Sequence, residues 1–440
     1  MRVLLCQSYL GQGSGEPLVF PLGLAYLGAL ARGSHEVLLW DSNVAEDPLT
    51  ELASVMEKFD PDIVGVSLRN IDSIFSFNKR SYYPPFVAMV RMIKEKKKSC
   101  KLIAGGSGFS LFAEEIMTRN PEIDFGIVSE GEHSFDQLLK NPEHPESVKN
   151  LVFRREGRIV STQRGFDDFS LLPVPARDLG DLRKYKNSLY SMGVQSKRGC
   201  AFNCAFCPST YLVGNDCRLR PPKVVVDEIE ELVNDYGFSS FFFVDSTFNY
   251  PFDHARKICE EIMKRRLDVQ WTAEFRPDFT NESFMREAVK SGCSLFSFSP
   301  DGASDRALQM LGKTFGVRQV ERTSDFVSKI NDANVGYSFL YDLPYHNREH
   351  AFGLLRLVPR IVSRCGPKLR FVSLTRIRIY PHTLFHKIAL EQGKIGQSTD
   401  LLYPVHYASG SSISMASLIP QFLRDSCILF NRLIKSRGNA

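Results

Sequence analysis

The sequence predicts an α/β protein: an N-terminal doubly wound domain over residues 1–150, then a partial parallel (β/α)6 barrel over 191–390. Three observations predict it. Short aliphatic runs alternate with helix-like segments in the first 150 residues, a second such alternation runs from about 190 to 377, and a proline-containing stretch separates the two. At 440 residues, the chain can build two cores of this kind.

In the first domain, runs at 2–7, 35–41, 63–68, 101–106 and 124–128 have the nearly continuous apolar character of strands covered on both faces. Pro21 opens the first helix, a position that needs no N–H donor. Ligands of a doubly wound sheet lie beyond the carboxyl ends of its strands. The loops there are Gly11-Gln12-Gly13-Ser14-Gly15, Ser67-Leu68-Arg69-Asn70, Gly105-Gly106-Ser107-Gly108 and Ser129-Glu130-Gly131-Glu132. They read either as a cradle for a large flat cofactor or as tight turns of a plain flavodoxin-like domain.

Residues 151–190 predict a connector, with a hairpin turn at Arg154-Arg155-Glu156-Gly157-Arg158 and an extended Leu171-Leu172-Pro173-Val174-Pro175. Strands are then predicted at 189–195, 241–245, 269–275, 295–299, 336–341 and 369–377, with helices at 224–236, 252–264 and 281–291. Reacting groups of a parallel barrel sit at the strands' carboxyl ends. Asp245 stands at one such end, and Tyr341, Asp342 and Tyr380 are substrate-facing candidates. Thr272, Glu274 and Arg276 alternate, so they share a face; Glu274 and Arg276 read as a lumen pair or a structural salt bridge. Residues 391–440 predict a cap or tail with an amphipathic helix at 419–434.

The chemistry centres on Cys200-x3-Cys204-x2-Cys207, between Arg198 and Pro208. Three thiolates on one loop can hold three corners of a cubane cluster, which would leave the fourth iron open. A structural zinc site takes four ligands, which Cys217 would complete, and an electron-transfer cluster takes a fourth cysteine. His133, His346, His350, His382, His386 and His406 have no metal-binding spacing; surface or capping roles are expected.

The net charge of +5 and the short basic clusters argue for a small-molecule substrate over nucleic acid. The Arg2–Gln7 run turns polar at once and reads as a buried strand rather than a signal peptide. No apolar run has bilayer length, and the unpaired cysteine triplet suits a reducing compartment, so a cytoplasmic enzyme is expected.

The cysteine motif, with Phe206 before Cys207, resembles the signature of radical S-adenosylmethionine enzymes. Pro21-Leu22-Gly23-Leu24-Ala25-Tyr26-Leu27, Pro61-Asp62-Ile63-Val64-Gly65-Val66-Ser67, Gly105-Gly106 and Glu130-Gly131-Glu132 resemble the cobalamin-binding domain fused to some of them. The resemblance implies a 4Fe-4S cluster on Cys200, Cys204 and Cys207, whose open iron is chelated by S-adenosylmethionine, together with bound cobalamin. It implies cofactor contacts from Gly13, Asn43, Ser67, Arg69, Gly105, Gly106, Glu130, Gly131 and Phe206. Asp245, Glu274 and Arg276 would serve both cofactor and catalysis, with Tyr341 and Tyr380 also catalytic.

One departure stands out. Where the family often carries Asp-x-His-x-x-Gly, this chain has Asp41-Ser42-Asn43-Val44-Ala45-Glu46, so no family-style imidazole reaches cobalt. That resembles the branch containing a tryptophan C2-methylating enzyme, with Arg69 in the place of a lower-face arginine that cannot ligate cobalt. The implied activity is methyl transfer from S-adenosylmethionine to an unreactive carbon or aromatic position, fed by an external electron donor such as flavodoxin or ferredoxin. The alternatives are a radical cyclase, rearrangement enzyme or oxidase; a cobalamin or iron–sulfur sensor would need neither an open iron nor a barrel.

Overall fold

The computed structural model describes residues 1–10, 17–73, 76 and 79–409; Gly13 and the helix expected at 419–434 lie outside them. The first sheet contains β1 (Arg2–Gln7), β2 (Glu36–Asp41), β3 (Ile63–Ser67), β4 (Lys101–Gly105), β5 (Phe125–Ile127), β6 (Leu151–Arg155) and β7 (Arg158–Ser161). Its order is β2-β1-β3-β4-β5-β6-β7. The first five strands are parallel and the last two antiparallel. The order reverses between β1 and β3, which opens a crevice at their carboxyl ends. Helix Leu22–Ala31 lies in the first crossover, between β1 and β2, and Asp47 caps helix Pro48–Phe59 by accepting from Thr50 N–H at 3.4 Å.

The sheet continues past residue 150. Glu156 and Gly157 both have positive φ, the geometry of a tight hairpin, and β6 and β7 cover the edge of β5. The rest of the connector is anchored by charge. Arg177, almost wholly buried, donates to Glu228 Oε1 at 2.6 Å and to the Gly193 carbonyl at 2.7 Å. Arg220 takes the other Glu228 oxygen at 2.5 Å. Two guanidiniums thus satisfy one carboxylate that burial alone would make costly.

The second sheet contains β8 (Gly193–Val194), β11 (Ser240–Phe243), β12 (Gln270–Phe275), β13 (Cys293–Asp301), β14 (Asn334–Tyr341) and β15 (Leu369–Arg376), adjacent in that order and all parallel. The short pair β9 (Lys197–Arg198) and β10 (Arg218–Leu219) stands apart. Six parallel strands in sequence order make the partial barrel, with helices Pro222–Asn234, Phe252–Lys264 and Glu282–Lys290 in its crossovers. One apolar cluster runs from Val3, Leu24 and Phe135 into Val194, Val225 and Trp271, so the two domains share core.

The expected surface or capping role fails for His350. It is fully buried, accepting from Ala303 N–H at 3.1 Å on Nδ1 with Nε2 2.7 Å from the Leu340 carbonyl. Burial pushes its pKa down to about 4.

Candidate active site

The three cysteines lie on the segment that leaves β9 and returns on β10, where Arg198 pairs with Arg218. Gly199 makes the turn at φ +94°; a Cβ there would stand 1.9 Å from the Asp216 carbonyl oxygen. Leu311 closes the loop from the barrel side, accepting from Ala205 N–H at 3.0 Å. Burial pushes the Cys200 thiol up to about 11, with Cys207, Cys204 and Cys217 adding to the shift. Burial raises Cys204 too, against the pull of Lys313. A bound cluster must displace these protons.

Among the described residues, no three His, Cys, Asp or Glu side chains converge on one point. Three thiols on one short loop are the donor set of a cluster with one open iron. Cys217 Sγ lies 4.0 Å from the Gly199 carbonyl.

Between the two sheets lies a cavity of about 520 Å³. On one side its walls are the carboxyl ends of the first sheet, including Ser67, Arg69, Gly105, Gly106, Glu130 and Gly131. On the other they are Tyr190, Gln195 and Arg198 with Phe242 and Val244 at the end of β11. Glycines at 65, 105, 106 and 131 form part of that wall. Gly106, at φ +97°, lets the β4 loop lie against Leu68, where a Cβ would stand 2.6 Å from its carbonyl oxygen. The glycines among apolar lining residues and the rim of polar groups fit a broad cofactor such as cobalamin.

The predicted cavity residues sort into two groups. Ser67, Arg69, Gly105, Gly106 and Gly131 line it. Glu130 also lines it, but both its oxygens are held by Arg218 at 2.5 and 2.6 Å. Asn43 does not line it: its amide accepts from Leu10 N–H at 2.8 Å and donates to the Ser8 carbonyl and to Asp41. It straps the β1 and β2 loops together.

In the barrel, three expectations are corrected. Asp245 is buried and saturated, accepting from Ser196 N–H at 2.9 Å, Ser196 Oγ at 2.5 Å and Lys197 N–H at 3.2 Å, with Lys197 Nζ 3.1 Å away. No acceptor capacity remains for a cofactor ammonium. Glu274 and Arg276 do not pair, because Arg276 lies past the end of β12. Its guanidinium takes Asp278 at 2.9 and 3.1 Å and Thr314 at 2.6 Å, and stacks 3.6 Å from the Phe202 ring in the cysteine loop. The Tyr380 hydroxyl is committed to the first domain, donating to Asp72 at 3.1 Å beside the Arg378–Asp72 pair at 2.6 Å.

Glu274 keeps an accessible side chain while sitting deep in the barrel. It accepts from Ser297 Oγ at 2.6 Å and Ser299 Oγ at 3.1 Å, and burial raises its pKa despite both bonds. Lys313 bridges this region to the cluster loop: Nζ pairs with Asp301 at 2.5 Å, donates to the Ser299 carbonyl at 3.2 Å, and lies 5.5 Å from the Phe206 ring. Tyr341 stands at the barrel rim under the Arg376 guanidinium, 5.4 Å away.

Sequence reasoning missed Tyr190, Gln195, Arg198 and Arg218. Tyr190 lines the cavity, and burial with Glu274 nearby pushes its phenol up to about 12. Arg198 and Arg218 had a visible signal: each adjoins the cysteine segment, Arg198 one residue before Gly199 and Arg218 next to Cys217.

Comparison with known proteins agrees with this geometry. Residues 13–139 match the B12 binding domain and residues 194–358 the Radical SAM superfamily. An uncharacterized methyltransferase of Pyrococcus horikoshii is 26% identical over 376 residues, 84% of this chain and 78% of its own length. The anaerobic magnesium-protoporphyrin IX monomethyl ester cyclase of Cereibacter sphaeroides is 27% identical over 314 residues; the match spans 67% of this chain and about half of the cyclase (49%). The radical S-adenosylmethionine methyltransferase TsrM from Kitasatospora setae, solved with cobalamin and a 4Fe-4S cluster bound, shares the fold. Its TM-score is 0.73 at 20% identity, covering 89% of this chain and 75% of that one. The chain therefore carries a B12 binding domain followed by a Radical SAM superfamily domain, with the cavity on the first and the three-cysteine loop at the start of the second.

Proposed function

We propose that this enzyme transfers a methyl group from S-adenosylmethionine to an unreactive carbon or aromatic ring position of a small molecule. The observation that carries the reading is the shared wall: the cavity of the first domain is closed by Tyr190, Gln195, Phe242 and Val244 of the barrel side. When bound, cobalamin, S-adenosylmethionine and the cluster supply methyl transfer and one-electron chemistry.

The chain's own residues bind and orient. Cys200, Cys204 and Cys207 would hold the cluster, and Lys313, paired with Asp301, sets an ammonium near Cys204 whose pull Asp301 partly offsets. Arg276 stacked on Phe202 stiffens the loop. Glu274, with Ser297 and Ser299 fixing its oxygens, offers an acceptor to a substrate or cofactor N–H or O–H. Arg69 lines the cavity with a group that has no lone pair to give a metal, and Asn43 is spent on the loops, so neither would supply a nitrogen to bound cobalamin. The reading includes an external one-electron donor, such as a flavodoxin or ferredoxin, and a cytoplasmic setting.

A second reading, radical cyclisation, rearrangement or oxidation, is favoured by the cyclase relative. Anaerobic reconstitution followed by incubation of cell extract with methyl-labelled S-adenosylmethionine separates the two. A labelled small-molecule product is expected; product without label, accompanied by 5′-deoxyadenosine, would favour the second reading. In the same preparation, alanine at Cys200, Cys204 or Cys207 should abolish bound iron and sulfide, while Cys217→Ala should leave both in place.

A further inference from the structure

We propose that Glu130 and Glu132 are positioning residues that tie the cluster loop to the cobalamin cavity through Arg218 and Arg198, so that filling either site changes the other. The inference rests on the cofactor assignment above and goes beyond it. Glu130, Glu132 and Arg198 all line the cavity. Arg198 and Arg218 face each other across the β9–β10 pair, whose two strands bracket all three cluster thiols.

The connections are direct. Arg218 grips Glu130 with both terminal nitrogens at 2.5 and 2.6 Å, and Arg198 meets Glu132 at 2.5 Å and Glu130 at 4.0 Å. The side chains are only 16%, 6%, 8% and 8% exposed for Arg218, Glu130, Arg198 and Glu132, so water screens them little. Arg198 holds Glu132 below the usual carboxylate range against the opposing effect of burial. Two acids and two bases balance one another, and a two-pronged Arg–carboxylate contact fixes orientation as well as distance.

Arg218 also donates to the carbonyls of Val213 and Asp167 at 2.8 Å, so it binds cavity rim, connector and cluster segment at once. Arg198 is separated from Cys200 only by Gly199, which is wedged against Asp216. A ligand that shifts Glu130 or Glu132 therefore moves the ends of the cluster loop. Coupling between two binding sites is reciprocal.

The test titrates hydroxocobalamin by absorbance into the full-length protein, with and without a reconstituted cluster. The wild type should bind with at least about fivefold different affinity in the two forms. Arg218→Gln and Glu130→Gln should bring that ratio close to one, and Arg218→Lys, with the charge but not the fork, should fall between. Arg256→Gln, in an exposed pair with Glu260 and Glu287, should keep the wild-type ratio. Cobalamin should also shift the electron paramagnetic resonance of the reduced wild-type cluster but not that of Glu130→Gln, which is isosteric and serves if Arg218→Gln fails to load iron. Equal wild-type affinities, or an unchanged ratio in both glutamine variants, would overturn the coupling alone. Absence of hydroxocobalamin binding to either wild-type form would overturn the cofactor assignment and the coupling with it.

Discussion

At the scale of single residues, burial decides what a titratable group can do. His350 is held neutral, with one ring nitrogen accepting from Ala303. Its folded pKa of about 4 lies below the ordinary 6.5, so between these values the unfolded chain binds more protons. Stability is therefore complete above about pH 6.5 and should fall by about 3 kcal/mol as pH drops toward 4. Denaturant titrations across that range should show the loss, and His350→Leu should flatten it. Asp245 illustrates the same principle from the other side. Its place at a strand end was legible, but its saturation by Ser196 and Lys197 was not, because those partners come from another strand's exit.

At the scale of elements, the cysteine segment depends on one backbone conformation. Gly199→Ala would place a methyl against the Asp216 carbonyl and force a side chain into positive φ. A cost of at least about 2 kcal/mol is expected from strain of this kind, together with reduced iron content in reconstituted protein. Thermal unfolding and iron assays check both. The strands of the first sheet and barrel were legible as apolar runs because each is covered on two faces. The hairpin of β6 and β7 was legible only as a turn; that it joins the first sheet depends on the open edge of β5. The strand expected at 189–195 shrank to Gly193–Val194, since the preceding residues turn aside to wall the cavity.

At the scale of the whole molecule, buried charge locks one domain to the other. Asp72, from the loop after β3, meets Arg378, which follows β15; their side chains are 0% and 3% exposed. Asp72→Ala leaves a buried guanidinium without its counter-charge and should cost about 3 kcal/mol or more. Replacing both, as Asp72→Ala with Arg378→Met, should recover part of that loss, and a double-mutant cycle by denaturant unfolding measures the coupling. Tyr380 belongs to this lock through its hydroxyl, which donates to Asp72.

By itself the sequence determined the two α/β cores and their order, because these depend on local periodicity, and its spacing within one short loop carries the proposed role of Cys200, Cys204 and Cys207. It also determined the lack of a cobalt-ligating imidazole at position 43. Only the tertiary structure decided which polar groups remain available. Glu274 keeps an accessible carboxylate, whereas Asp245, Arg276, Tyr380 and Glu130 are committed to partners 2 to 308 positions away in sequence. The physical reason is that a buried charge takes whatever counter-charge the packing brings to it, and that neighbour is set by how strands and loops meet in space.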